Sequence, residues 1–103
     1  MKAIINGKRY NTETATEVWS NSSSYPVNDF KYYEETLYKT TAGNWFLQGE
    51  GGALSQYAVP VGNSTGGGSR IIPLTAVEAQ EWLERIGAVA ALEEHFGAKI
   101  QDA

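Results

Sequence analysis

The chain has 103 residues and a net charge of −4, with 42% hydrophobic and 19% charged residues. This length predicts a single domain over residues 1–103, and the composition excludes a largely disordered chain. The chain has no cysteine, which excludes disulfides, a thiolate metal site and a cysteine nucleophile.

The distribution of apolar residues favours a cytoplasmic protein. The N-terminal segment turns polar after Ile5, so it lacks the apolar core of a signal peptide. No segment approaches the roughly 20 apolar residues of a membrane span. A cysteine-free chain also suits a reducing compartment. We therefore expect a cytoplasmic protein without membrane association.

The first predicted element is a small hairpin. Lys2–Ile5 and Lys8–Tyr10 flank Asn6-Gly7, a strong hairpin signal because both turn residues tolerate positive φ.

A helix is predicted next, ending by Asn21. Asn11 or Thr12 can cap it, and Thr14 has capping-box spacing to a glutamate three residues later, so the start stays open. Three apolar residues fall on one helical face: Ala15, Val18 and Trp19.

The middle of the chain predicts a second hairpin. Lys31–Thr40 is rich in tyrosine and threonine, residues that favour strands, and Trp45–Gln48 follows a turn at Thr41–Asn44. Side chains alternate between the two faces of a strand. One face then carries Tyr32, Glu34, Thr36 and Tyr38, and the other carries Tyr33, Glu35 and Leu37.

Residues 49–70 contain seven of the eleven glycines. Gln56–Val61 is predicted as a short strand. Because Pro60 has no backbone N–H to donate to a neighbouring strand, we expect this strand at the edge of a sheet. Gly62–Ser69 is predicted as a flexible connection and Arg70–Leu74 as extended. The glycines do not form a phosphate-binding loop. A Walker loop needs GKS or GKT before a helix, and a dinucleotide-binding loop needs GxGxxG before a helix, and neither pattern is present.

Two helices are predicted at the C-terminal end. Thr75 and Glu78 form a capping box for a helix from Ala76, and Gly87 fits the position that ends it. A second helix is expected over Ala88–Phe96, with Val89, Leu92 and Phe96 on its buried side.

The predicted fold class is therefore α+β. It comprises a small antiparallel sheet of about four or five short strands, one N-terminal helix and a C-terminal helical pair. The predicted core consists of Ile4, Val18, Trp19, Leu37, Trp45, Leu47, Ile72, Trp82, Leu83, Ile86, Leu92 and Phe96.

Residue chemistry favours binding over catalysis. His95 is the only histidine and has no partner at metal-ligand spacing, while neither aspartate lies in a metal-binding motif. We predict no catalytic residue, no metal ligand and no cofactor.

Two sets of exposed side chains are candidates for binding a protein. Interfaces are enriched in tyrosine, and spaced carboxylates on a helix can imitate phosphates, although a solvated helix face and a packed sheet face are ordinary alternatives. The predicted protein-binding residues are Tyr32, Glu34 and Tyr38 on the strand, and Glu78, Glu81 and Glu84 on the helix.

The order of several sequence blocks resembles a family of short bacterial proteins from plasmids, prophages and other mobile elements. The blocks are MKAIINGKRYNTETA, KYYEETLYKTTAGNWFLQGEGGALSQYA, GNSTGGGS and IIPLTAVEAQEWLE, which together span nearly the whole chain. The resemblance implies no catalytic residue. It implies a setting in which short acidic proteins often inhibit host defences, anti-CRISPR proteins being one class.

Three functional hypotheses follow. The first is a non-enzymatic binding protein of a mobile genetic element, of which an anti-CRISPR-type inhibitor is one form, that docks on a host protein or nucleoprotein. The second is a nucleic-acid-associated factor, although direct binding of nucleic acid is disfavoured because the chain is acidic and its basic residues are scattered. The third is a small enzyme. The basic residues available to the second hypothesis are Lys8, Arg9, Lys31, Lys39 and Arg70.

Overall fold

A computed structural model describes all 103 residues. The chain forms eight strands and two α-helices. The strands are β1 (Lys2–Ile5), β2 (Lys8–Asn11), β3 (Thr16–Ser22), β4 (Tyr33–Lys39), β5 (Trp45–Gly51), β6 (Val59–Val61), β7 (Ser64–Gly66) and β8 (Gly68–Leu74). The helices are α1 (Ala76–Arg85) and α2 (Val89–Phe96), and a 3₁₀ turn at Gly97–Lys99 follows α2.

The α+β class is confirmed, with a four-stranded antiparallel sheet at its centre. Its strand order is β3-β4-β5-β8. The predicted hairpin of β4 and β5 is present, and its register places Leu37 opposite Leu47, which in turn lies opposite Ile72. Strands β1 and β2 form one separate hairpin, as predicted, and β6 and β7 form another.

The predicted N-terminal helix is wrong, because the segment forms strand β3 at one edge of the sheet. The β-branched residues Thr16 and Val18 favour extended backbone, and pairing with β4 supplies the backbone hydrogen bonds. A bulge lies between Glu17 and Trp19, where the pairing shifts by one residue. Val18 packs against the main core, whereas Trp19 is 37% exposed rather than buried.

The two helices cover one face of the sheet and form the main core with it. The capping box is present, since the Glu78 amide donates to Thr75 Oγ1 at 3.1 Å and the Thr75 amide donates to Glu78 Oε1 at 2.8 Å. Gly87 has a φ of +73°, which suits glycine at a helix end. The buried residues of this core are Leu37, Trp45, Leu47, Ala79, Trp82, Leu83, Ala88, Ala91, Leu92 and Phe96.

A second, smaller core lies on the opposite face of the sheet, where the N-terminal hairpin packs. Tyr10 meets Phe46 edge-on with ring centroids 5.5 Å apart, and buried Ile71 completes the cluster. The prediction placed Ile4 in a core, but Ile4 is 67% exposed because Ala3 and Ile5 face the cluster instead. Because side chains alternate between the two sides of β1, Ile4 cannot be buried in this cluster together with Ala3 and Ile5.

The glycine-rich segment is more ordered than predicted. Strand β7 and the start of β8 lie within residues 62–69, where a flexible connection was expected, and the strand predicted over Gln56–Val61 begins only at Val59. Gly62 supplies the positive φ of +61° for the β6-β7 turn. Val89 was also expected to be buried and is 61% exposed.

Gly49 has a packing role that predicts a severe mutational effect. A Cβ at this position would lie 2.0 Å from Cζ of the buried Tyr57 ring. Gly49→Ala should therefore lower the free energy of unfolding by about 1–3 kcal/mol or more, as overpacking does. Gly97→Ala is the matched control, because a Cβ there meets nothing within 4 Å. Equal urea midpoints for the two variants would contradict this packing role.

Candidate functional site

Both cores occupy the same end of the sheet, and the other end is polar. Five glutamates lie there or on the adjoining turns of α1, and we call this set the acidic end: Glu34, Glu35, Glu50, Glu78 and Glu81. The register places Glu34 and Glu50 on the same face as the N-terminal hairpin, in the part that the hairpin does not cover, which we call the uncovered face. Glu35 lies on the face that the helices cover.

On the uncovered face, two carboxylates oppose each other across neighbouring strands. Glu34 pairs in register with Glu50. The hydrogen bond with Glu34, together with desolvation and charge repulsion, raises the pKa of Glu50 above its ordinary value. The Tyr32 hydroxyl donates to Glu34 Oε2 at 2.9 Å, and this bond raises the pKa of Tyr32. Like charges in directly opposed positions destabilise a sheet.

On the helix-covered face, Glu35 is held by two donors. The Tyr57 hydroxyl donates to Glu35 Oε2, and Trp82 Nε1 donates to Glu35 Oε1 at 3.3 Å. Tyr57 is only 2% exposed, and burial, followed by the bond to Glu35, raises the pKa of Tyr57 well above its ordinary value of 10.0. These bonds hold the Glu35 carboxylate in one position, because both of its oxygens have a buried or partly buried donor.

The sheet register explains how Tyr57 reaches this position. Glu35, Gly49 and Arg70 lie side by side on three adjacent strands. The Tyr57 ring occupies the space above Gly49, with its hydroxyl at Glu35 and the Arg70 guanidinium 5.2 Å from its ring centroid. The missing side chain at Gly49 thus makes room for the bond that anchors Glu35.

A cleft of about 430 Å³ opens between α1 and this end of the sheet. It combines three carboxylates with two aromatic residues and one guanidinium. Its lining residues are Tyr33, Glu35, Leu47, Gln56, Leu74, Glu78, Glu81, Trp82 and Arg85. The capping box also fixes the orientation of Glu78, because its Oε1 accepts from the Thr75 amide.

The carboxylates of the acidic end have no ion-pair partner within the protein. The single contact at ion-pair distance joins His95 Nε2 and Glu94 Oε2, which are 3.8 Å apart. No lysine or arginine lies at such a distance from any carboxylate. The negative charge at this end is therefore not neutralised by an internal ion pair.

The structure brings four of the predicted protein-binding residues to the acidic end. Tyr32 and Glu34 lie on the uncovered face, and Glu78 and Glu81 line the cleft. Glu84 is exposed but does not line the cleft; it accepts a hydrogen bond from Gln80 at 3.4 Å.

Tyr38 is predicted to be exposed, and that prediction is wrong. Tyr38 is half-buried at the other end of the sheet, where its ring stacks on Phe46 with centroids 5.1 Å apart. Tyr32 is likewise only half-exposed. The aromatic cluster around Phe46 accounts for the burial of Tyr38, because the hairpin of β1 and β2 covers that part of the sheet.

Sequence reasoning missed Glu35, Glu50 and Trp82 as members of the site. Successive side chains of a strand point to opposite faces, so Glu35 lies on the other face of the sheet from Glu34. Only the folded arrangement brings α1 over Glu35. The pairing of Glu34 with Glu50 follows from the β4-β5 register. The predicted four-residue turn at Thr41–Asn44 would place Gly51 opposite Glu34. In the structure the Thr40 amide donates to the Asn44 carbonyl, so the turn has three residues and Glu50 lies opposite Glu34.

The remaining chemically active side chains lie elsewhere. His95 contacts the Trp45 ring, with centroids 5.5 Å apart, and lines no cleft. Lys8 and Arg9 line a groove of about 380 Å³ near the Thr40–Asn44 turn. No group of three or more histidine, aspartate or glutamate side chains converges as a metal site would require. None of the helices has the length and apolar character needed to cross a membrane.

Comparison of the chain with protein-family models, with curated proteins and with solved structures finds no match.

The hydroxyl of Tyr57 predicts a change in stability at alkaline pH. Because the pKa of Tyr57 is raised in the folded protein, its stabilising effect is complete below pH 10 and is lost as the pH rises above that value. Tyr57→Phe should flatten the alkaline fall in unfolding free energy and lower stability at neutral pH by about 1–3 kcal/mol.

Urea unfolding between pH 8 and pH 11 measures both effects. Tyr25→Phe is the control, because Tyr25 is an exposed tyrosine. An alkaline slope that is equally steep in wild type and Tyr57→Phe would refute the role of the buried hydroxyl.

The opposed carboxylates predict a stabilising substitution. The raised pKa of Glu50 means that native stability declines as the pH rises from the ordinary value of 4.5 through the raised one. Glu50→Gln should raise the melting temperature at pH 7 by a few degrees at most, the scale of one cross-strand pair. The gain should disappear near pH 3, and Glu13→Gln should produce no comparable gain. A lower melting temperature for Glu50→Gln at pH 7 would contradict the repulsion.

Proposed function

We propose that the protein is a non-enzymatic binding protein whose acidic end docks on a basic surface of a partner protein. The observation that supports this most directly is the absence of any internal ion pair to its carboxylates. Such charges attract a cationic surface and accelerate encounter with it.

The opposition of Glu34 and Glu50 supports the same proposal. Two like charges paired across strands reduce stability, and a cationic group placed between them would reverse that effect. A stability cost of this kind is typical of a site that is shaped for a ligand rather than for folding.

The chemistry of the cleft suits a lysine or arginine side chain. Glu78 and Glu81 can accept charge-assisted hydrogen bonds, while Tyr33 and Trp82 supply aromatic surface beside them. Glu35 adds a third carboxylate that Tyr57 and Trp82 already hold in place. Preorganised acceptors lose little entropy when a ligand binds.

The resemblance to proteins of mobile elements supplies the setting of the proposal. In that setting the partner is a cytoplasmic host protein or nucleoprotein, and the protein acts as an inhibitor, of which the anti-CRISPR class is one example. Nucleoproteins expose basic surfaces that bind nucleic acid, and an acidic protein can compete for them.

The nucleic-acid-associated alternative depends on the basic residues, which the fold separates. Lys8, Arg9 and Lys39 lie near the end of the sheet that holds the cores, whereas Lys31 and Arg70 lie toward the acidic end. A low-salt gel shift would test whether the groove at Lys8 and Arg9 binds DNA or RNA. The small-enzyme hypothesis stays a prediction of lower rank.

Neutralising two carboxylates of the cleft tests the proposal. Glu78→Gln keeps the acceptor of the capping box, so Glu78→Gln with Glu81→Gln removes charge with little effect on the fold. The double variant should retain at least tenfold less partner than the wild type in a pull-down from a lysate of the host bacterium. Calorimetry then measures binding to the purified partner.

The control for this experiment is Glu13→Gln with Glu93→Gln, which changes the net charge equally at exposed positions outside the cleft. Wild-type binding should weaken as salt rises. Equal binding by the two double variants would show that the cleft is not the docking surface.

A further inference from the structure

The acidic end adjoins the open edge of strand β3, and this arrangement specifies how a partner could bind. Strand β3 ends the order β3-β4-β5-β8 and pairs only with β4. The backbone groups on the outer side of an edge strand are open to a further strand. Edges are commonly protected by lysine, proline or a bulge. In β3 the bulge lies between Glu17 and Trp19, and Ser20–Ser22 carries no such protection.

The hydrogen-bond pattern identifies which groups face outward. The Ser23 amide donates to the Tyr33 carbonyl at 2.9 Å, and the Tyr33 amide donates to Ser23 Oγ at 3.2 Å. Inward and outward backbone groups alternate along an antiparallel strand. The amides and carbonyls of Ser22 and Ser20 therefore point away from β4, and their amides make no backbone bond to a group outside the sheet.

A polar groove of about 250 Å³ follows this edge. Three of its lining residues come from β3 and three from β4, and none is hydrophobic: Ser20, Asn21, Ser22, Glu34, Glu35 and Thr36. The register places Glu34 directly behind Ser22, and Glu35 directly behind Asn21. The small Ser22 side chain leaves Glu34 accessible from the edge.

We infer that the open edge of β3 accepts an extended, basic segment of a partner protein as a fifth strand. The inference rests on the proposed function, since it names the form of the partner that the acidic end would bind. Main-chain hydrogen bonds to Ser20 and Ser22 would align the segment.

The spacing of a β-sheet makes lysine or arginine the matching side chain. Adjacent strands lie about 4.8 Å apart, so a residue added opposite Ser22 is about 10 Å from the Glu34 backbone. A long cationic side chain spans that gap across serine, and Glu50 lies one strand further on the same face. The residue next along the added strand points to the other face, toward Glu35.

A second copy of this chain is a poorer occupant of the edge. Antiparallel pairing of the unprotected Ser20–Ser22 with the same segment of a second copy would bring the acidic ends of two molecules, each of net charge −4, toward one another. The opposite edge of the sheet is less suitable for a partner strand, because β8 contains Pro73.

The experiment uses a fluorescein-labelled ten-residue peptide of alternating lysine and threonine, with binding followed by fluorescence anisotropy. Ser22→Pro removes an outward amide without removing a bond to β4, and should weaken binding at least tenfold. Ser22→Thr keeps the amide and should stay within twofold of wild type. Thermal melting checks the fold, and Ser20→Pro repeats the test at the second outward amide.

A modified peptide separates the edge from simple charge attraction without altering the protein. Two peptides are methylated on alternate backbone nitrogens, one in each register. Both keep every lysine, but only one of them loses the amides that donate to β3. We expect one of the two methylated registers to bind at least tenfold more weakly. The double variant Glu34→Gln with Glu50→Gln should also bind the unmodified peptide more weakly than the wild-type protein does.

Three results would overturn the inference. The first is no binding of the peptide to the wild-type protein. The second is binding that depends on Glu34 and Glu50 but not on Ser22→Pro or on methylation, which would leave the proposed function intact without the edge. The third is a dimer in light scattering that Ser22→Pro dissociates, which would make a second copy the occupant.

Discussion

The indole of Trp82 joins the two parts of this structure. Its ring belongs to the main core between α1 and the sheet, and its Nε1 donates to Glu35 at 3.3 Å on the helix-covered face. One side chain therefore couples the burial that stabilises the fold to the position of a carboxylate. Tyr57 completes the arrangement from the glycine-rich segment, and Gly49 leaves the space that its ring occupies.

The acidic end exists because the covering elements are short. The N-terminal hairpin packs over Phe46 and Ile71, and the helical pair packs over Leu37 and Leu47. The seven-residue strands β4 and β5 extend beyond the N-terminal hairpin, so Glu34 and Glu50 near their far ends face solvent on that side of the sheet. Position along the strand, rather than any local motif, thus separates the residues that stabilise the protein from those available to a partner.

Local signals predicted the C-terminal helical pair well and the segment between β2 and β4 poorly. Thr75, Glu78 and Gly87 act through hydrogen bonds and backbone angles within a few residues, so their roles are visible in the sequence. The spacing of Val18 and Trp19 fits a helix equally well, and pairing with β4 overrides it. Tyr38 was misplaced for a similar reason, since alternation says which face it occupies but not whether another element covers that face.

The sequence by itself determined the α+β class, the β4-β5 hairpin, the capped helix and the acidic balance, because composition and short-range geometry decide these properties. Only the tertiary structure decided that Glu50 opposes Glu34, that α1 lies beside Glu35, and that β3 is an open edge. Each of these depends on contacts between residues far apart in the chain. Such contacts are set by the register of the sheet and by the packing of the helices against it, and neither is encoded in a local pattern.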